Sequence, residues 1–162
     1  MIRTLLVLAL VVLIALALLG MRRGWRNRLA RQGDLPALPP VPSGLGAATL
    51  SSAGLYVGTT FASSWQDRVL HGGLGEPAKA VAALHESGLL IERQGSAPVF
   101  VPRPDWIEAR LAPGLAGKVT GAGGLLVLRW RLGETVVDTG FRADDKTSYP
   151  AWVTAINGGV PA

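Results

Sequence analysis

Cysteine is absent from the sequence. That excludes disulfides, thiolate metal sites and cysteine nucleophiles, while leaving the compartment open. Histidine is nearly absent: His71 sits in a Gly-rich turn, His85 precedes another, and each stands alone without a partner for metal binding or acid–base work. Catalytic motifs are just as scarce. No G-x-S-x-G occurs, and Ser63 and Ser64 have neither an identifiable base nor a nearby oxyanion loop. GLAGKVTG (114–121) echoes a phosphate loop, but Ala112 and Val119 stand where that loop needs Gly and Ser/Thr, and GAGGLL (121–126) lacks the third glycine of a dinucleotide turn. Glu86, Glu92, Asp105 and Glu108, and the pair Asp144 and Asp145, read as solvated strand faces, turns or caps. These absences point to a protein with no catalytic residue, no cofactor and no metal.

Acidic residues are missing from one end of the chain. Residues 1–45 carry Arg3, Arg22, Arg23, Arg26, Arg28 and Arg31 against Asp34 alone, 6 − 1 = +5, which equals the net charge of the whole sequence. Residues 46–162 hold ten basic and ten acidic side chains, so the remainder is neutral. The basic character therefore belongs to MRRGWRNRLARQ (21–32). That segment has no adjoining groove and no aromatic stacking platform, so nucleic acid is not an expected partner.

From Thr4 to Met21 the chain runs eighteen residues without a charge, and twelve of them are Leu, Val or Ile. Those twelve favour a bilayer by roughly 4 to 7 kcal/mol on an insertion scale. As a helix the run spans about 27 Å, close to a hydrocarbon core of about 30 Å. A cleaved signal peptide has a shorter apolar core, preceded by its positive charge and followed by a small-residue cleavage site. Here the arginines follow the run and no A-x-A site separates them from it. The reading is a transmembrane helix over 1–21 and a basic juxtamembrane segment over 22–33. Positive flanks stay on the cytoplasmic side, so the amino terminus lies outside the plasma (inner) membrane and the carboxyl domain in the cytoplasm. Arg22, Arg23, Trp25, Arg26, Arg28 and Arg31 form the membrane-interface set, with anionic lipid of the inner leaflet as partner. DLPALPPVPSGLG (34–46), with four prolines in seven positions, reads as an extended, semi-rigid linker.

Residues 47–158 read as a β domain, with 159–162 as a tail. GLYVGTT (54–60), LLIERQG (89–95) and PVFV (98–101) are β-rich segments between Gly breaks. WIEARLA (106–112) alternates, putting Trp106, Glu108 and Arg110 on one side and Ile107, Ala109 and Leu111 on the other. GLLVLRWRLGETVVDTGF (124–141) is a hairpin about Gly133–Glu134, with Arg129 and Arg131 on one face and Asp138 placed to lie across from them. AKAVAALH (78–85) has helical propensity, but its short length and the HESG turn favour a strand. KTSYPAWVTAIN (146–157) predicts a closing helix with Ser148 as N-cap, Pro150 just inside, and Trp152, Ala155 and Ile156 on one face.

GLLVLRWRLGETVVDTGFR followed by YPAWVTAI, with ESGLLIER upstream and AGKV between, resembles the bacterial pleckstrin-homology-like (PH-like) domain of small actinobacterial single-pass membrane proteins, some of them labelled export or membrane proteins. The resemblance covers about 54–157. It implies a mainly β fold: a seven-stranded bent sheet, or open barrel, capped by the carboxyl-terminal helix. Pleckstrin-homology domains that read phosphoinositides use a basic pocket in the loop joining the first two strands. The matching stretch here, about 61–77, offsets Arg68 with Asp67 and Glu76 and has no lysine, so phosphoinositide is not an expected ligand. The functional reading is a membrane-anchored, non-catalytic binding or scaffold module for a protein partner or a second copy. The alternative is an accessory subunit of an export, transport or cell-envelope complex. Trp65, Arg68, Arg129 and Arg131 are the candidate partner surface, Trp65 foremost if it proves exposed beside GGLG.

Overall fold

The computed structural model describes residues 2–33, 35–121 and 124–158. It divides into two compact units, Met1–Asp34 and Leu35–Ala162. In the first, α1 runs Ile2–Gly33, so the arginine segment continues the apolar helix. The window Val7–Gly24 is long and apolar enough to cross a membrane, and none of it is buried within the protein. Arg22 and Arg23 are exposed; Trp25, Arg26, Arg28 and Arg31 lie on the helix, but their side chains fall outside the described set, as do residues 34 and 159–162.

The second unit is mainly β. Its strands are β1 (Leu50–Phe61), β2 (Ala78–His85), β3 (Gly88–Arg93), β4 (Val99–Pro102), β5 (Trp106–Ala112), β6 (Gly114–Leu115), β7 (Lys118–Val119), β8 (Leu125–Leu132) and β9 (Thr135–Ala143), followed by α2 (Tyr149–Asn157). Seven of them form one sheet in the order β4-β3-β2-β1-β9-β8-β5, every neighbour antiparallel. A single core cluster draws residues from all seven strands and α2, so one face of the sheet curls around its own interior. The helix closes it with Tyr149, Trp152 and Ile156. A void of about 10 Å³ remains between Leu128, Phe141 and Trp152, at the lower limit for one water.

Local chemistry explains most of the elements. AKAVAALH becomes a strand because Ala80, Ala82 and Leu84 alternate into the core while Lys79 and Val81 face out; packing overrides alanine's helical propensity. The 125–143 hairpin has the expected register, Arg129 opposite Asp138. Two bulges bend the sheet. Val57 is extra on β1 against β9, and Ile107 is extra on β5 against β8. The second bulge corrects the expected alternation: Trp106 joins Ala109 in the core and faces away from Glu108 and Arg110. Ser148 holds the position before α2 but makes no capping bond, because a 3-10 turn (Lys146–Ser148) precedes the helix and Asp145 accepts from Thr147 N–H at 2.9 Å instead. That exposed carboxylate is held below its ordinary range by its bonds to the Thr147 hydroxyl and backbone N–H. Asn157 ends α2 by pairing both backbone groups of Ala109, at 2.7 and 3.0 Å, as another strand would on the β5 edge.

The proline-rich stretch differs most from expectation. Leu35 is 6% exposed within the core cluster and Leu38 packs on it. Pro36 lies so close to Gly133 that a β-carbon there would stand 2.9 Å from its Cγ, and Leu38 approaches Gly72 in the same way. Farther along, the Gly46 carbonyl meets His85 Nδ1 at 3.1 Å and Thr49 N–H donates to Leu84. Proline fixes φ without requiring solvent on all sides, so the segment is a strap along the domain and not a spacer. Leu35→Ala is expected to destabilise the domain by about 2 to 4 kcal/mol. Pro40→Ala, at an exposed position of the same strap, should change it by less than about 0.5 kcal/mol; denaturant titration of the full chain in detergent checks both.

Candidate functional site

The loop between β1 and β2, residues 62–77, has little regular structure yet is held at several points. A hydrogen-bonded chain runs to it through the core. Trp130 Nε1–H donates to Thr139 Oγ1 at 2.9 Å, Thr139 and Thr59 hydroxyls lie 2.7 Å apart, Thr59 and Tyr56 2.8 Å, and Tyr56 O–H donates to the Leu74 carbonyl at 2.7 Å. An indole N–H can only donate and a carbonyl can only accept, so every proton in the chain points from Trp130 toward Leu74.

The carbonyls on either side of Leu74 are held as well. Arg93 Nη1 donates to Gly73 at 2.7 Å, with its Nε on Ala97 and its guanidinium 4.8 Å from the centre of the Tyr56 ring. Arg68 Nη1 donates to Gly75 at 2.5 Å, and its Nη2 to Ala116 at 2.7 Å. Positive φ angles at Gly72 and Gly73, 59° and 69°, turn the backbone tightly here. Backbone bonds from Thr59 N–H to Leu74 and from Val69 N–H to Thr59 fold the loop back along β1.

Across from the loop stands the short β6–β7 hairpin. Its Ala116 N–H donates to the Trp65 carbonyl at 2.7 Å, and Leu115, Ala116, Val57, Leu125 and Val127 form a second, smaller cluster on the outer face of the sheet. The loop and hairpin together leave three large apolar side chains in solvent: Trp65 at 45% exposure, Leu70 at 54% and Val119 at 74%. Between Trp65, Pro113, Leu115 and Val119 lies a groove of about 360 Å³, with Arg110 on its wall.

The charges beside the groove are mutually satisfied. Asp138, almost fully buried, accepts from Arg110 Nη2 at 2.8 Å and from Arg129 Nε and Nη2 at 2.8 and 3.0 Å. Glu108 adds contacts of 3.3 Å to Arg129 and 3.7 Å to Arg110. Hydrogen bonding to Asp138 holds the Arg129 guanidinium above its already high ordinary value. The candidate surface residues thus sort into two groups. Trp65 and Arg131 are exposed. Arg68 and Arg129, in contrast, are turned to internal work, one clamping the loop to the hairpin and the other neutralising Asp138. Leu70, Val119 and the β6–β7 hairpin were not legible as a site; the closely spaced glycines of GLAGKVTG are their one sequence signal. Among the described residues no group of three or more His, Asp or Glu side chains could hold a metal ion.

The sequence profile of the family described as "Bacterial PH domain-like" matches residues 35–157. The chain belongs to this family. The match begins at Leu35, the first side chain of the core. No curated protein matches the sequence. In this PH-like domain the loop joining the first two strands directs Arg68 to the backbone carbonyls of Gly75 and Ala116.

Burial pushes the Tyr56 phenol up from its ordinary 10.0 to about 12, against smaller opposing effects of Thr59, Arg93 and Arg68. Because the folded value lies above the unfolded one, the associated stability is fully present below pH 10 and is lost as pH rises through 12. The expected loss is roughly 2 to 3 kcal/mol. Tyr56→Phe should remove this component while the smaller contribution of Tyr149, also raised by burial, persists. Urea midpoints between pH 9 and 12 for both proteins check this; a Tyr56→Phe variant that loses stability with pH as steeply as the parent contradicts it.

Proposed function

We propose that the chain is a membrane-anchored, non-catalytic binding module of the plasma (inner) membrane, with its amino terminus outside and its PH-like domain at the cytoplasmic face. The observation that carries this reading is the junction: an apolar helix ending in arginines passes, with one intervening residue, from Gly33 into the first core side chain, Leu35. Arg22, Arg23, Arg26, Arg28 and Arg31 set the orientation and contact anionic lipid, with Trp25 at headgroup depth. The domain's interior is filled by its own side chains and its central ion cluster is internally balanced, which favours contacts on the outer surface. That surface is proposed to include Trp65 and Arg131, with Arg68 bonding the Trp65 loop to the β6–β7 hairpin and Arg129 pairing with Asp138. Tethering then holds a protein partner or a second copy near the inner leaflet at raised effective concentration.

Fusing reporters to the carboxyl end tests the topology. A fluorescent protein that matures only in the cytoplasm should be bright and an exported phosphatase silent; the reverse pattern overturns the cytoplasmic module. Crosslinking in native membranes is expected to recover a soluble partner or a second copy. Recovery of integral membrane proteins alone would instead favour an accessory subunit of an export, transport or cell-envelope complex.

A further inference from the structure

We infer that β5 is a self-pairing strand edge and that Asn157 holds it closed: with Asn157 in place the domain stays single, and with its side chain removed two copies join β5 to β5 about Ala109. The inference goes beyond the proposed function and rests on the β unit alone. The seven-stranded sheet ends in β4 on one side and β5 on the other. An edge strand presents backbone groups on which another chain can pair, and both edges here are met by side chains. On β4 the Val101 carbonyl accepts from the Trp106 indole N–H at 3.2 Å. On β5 the Ala109 N–H donates to Asn157 Oδ1 at 2.7 Å, and its carbonyl accepts from Asn157 Nδ2 at 3.0 Å.

Alternation along the strand identifies what is guarded. In an antiparallel ladder both backbone groups of a residue point the same way, and successive residues point to opposite sides. Ala109 gives both of its groups to Asn157, away from β8, so Leu111 directs its own pair to that same side, and its side chain is exposed. One carboxamide, not a strand, therefore closes the middle of β5. Trp152 and Ile156 keep α2 on the core without help from Asn157, so removing the carboxamide opens the edge while the helix stays in place.

The sequence of β5 complements itself, which names a second copy as the occupant. A second β5 laid antiparallel about Ala109 sets Ala109 opposite its own copy, each exchanging N–H and carbonyl with the other. In that register Glu108 of each strand faces Arg110 of its partner, twice by symmetry, so the contact is isologous and opposite charges meet across it. Both side chains are half-exposed and able to reach across. Moving the centre by one residue sets Arg110 against Arg110 or Glu108 against Glu108, so charge selects Ala109 as the centre.

Because the chain has no cysteine, Leu111→Cys gives a single nitroxide site in the full chain in detergent. In the two-fold pair the two labelled positions lie four residues apart along the strands, about 14 Å, close enough for dipolar broadening of the spectrum. Broadening should be absent with Asn157 present, appear in Asn157→Ala, be relieved by dilution with the unlabelled variant, and vanish when Glu108→Lys is added. Asn157→Asp keeps an acceptor for the Ala109 N–H, and with it the end of α2, but cannot donate to the carbonyl. It should broaden the spectrum more than the parent and less than Asn157→Ala. Amide exchange of the β8–β9 ladder reports folding in each protein. A folded Asn157→Ala with an unbroadened spectrum overturns the inference, and broadening in the parent overturns the latch. Broadening that survives Glu108→Lys overturns the Ala109 register. Loss of ladder protection in both Asn157 variants makes Asn157 a requirement of folding and overturns its role as a latch.

Discussion

Three successive carbonyls, those of Gly73, Leu74 and Gly75, accept hydrogen bonds from Arg93, Tyr56 and Arg68, and the outer surface of the domain takes its form from that constraint. A loop of this length would ordinarily be mobile, because it has few ladder bonds to resist opening. Here two of the donors, Tyr56 on β1 and Arg93 on β3, come from different strands of the sheet, and the third, Arg68, comes from the loop itself. Tyr56 is itself the last link of a proton-ordered chain that begins at Trp130, so the loop position is coupled to the packing of β8 and β9 against β1. Each bond is worth only about 1 kcal/mol net, but leaving a buried partner unsatisfied costs more, and this asymmetry makes the arrangement specific.

The constraint reaches the hairpin as well. Arg68 bonds the loop with one nitrogen and Ala116 with the other, which leaves Trp65 presented and not collapsed onto the sheet. Arg110, which lines the same groove as Trp65, belongs to the Glu108, Arg110, Arg129 and Asp138 cluster, whose charges balance one another. A filled interior, a balanced ion cluster and a clamped loop suit binding at a surface better than chemistry in a pocket. A short connection to an apolar helix suits a surface that works beside a membrane. These properties arise from separate parts of the sequence and agree with one another, which is the physical case for the proposed module.

Much of the fold was legible because it depends on local alternation. The 125–143 hairpin announces itself through Leu128 and Trp130 facing in while Arg129 and Arg131 face out, and the closing helix through the spacing of Trp152 and Ile156. The strand at 78–85 required length to outweigh propensity. What could not be read depends on distant partners. The bulge at Ile107 reverses Trp106 with no local signal. A stretch rich in proline reads as a spacer, and only the fold shows that Leu35 is core. Arg68 reads as a surface cation because its carbonyl acceptor at Ala116 lies 48 residues away, and Arg93 gives no hint that it holds Gly73. The site was therefore half legible: Trp65 and Arg131 could be singled out by type, whereas Leu70 and Val119 depend on where the clamped loop and hairpin come to rest.

Amide hydrogen exchange on the full chain in lipid discs tests the clamp most directly. The N–H groups of Thr59, Phe61 and Val69, bonded to the carbonyls of Leu74, Asp67 and Thr59, report the loop, and the β8–β9 ladder reports the barrel. A rigid, clamped loop predicts protection of those three amides comparable to that of the ladder. Exchange of all three at the rate of an open loop, with the ladder still protected, would contradict it.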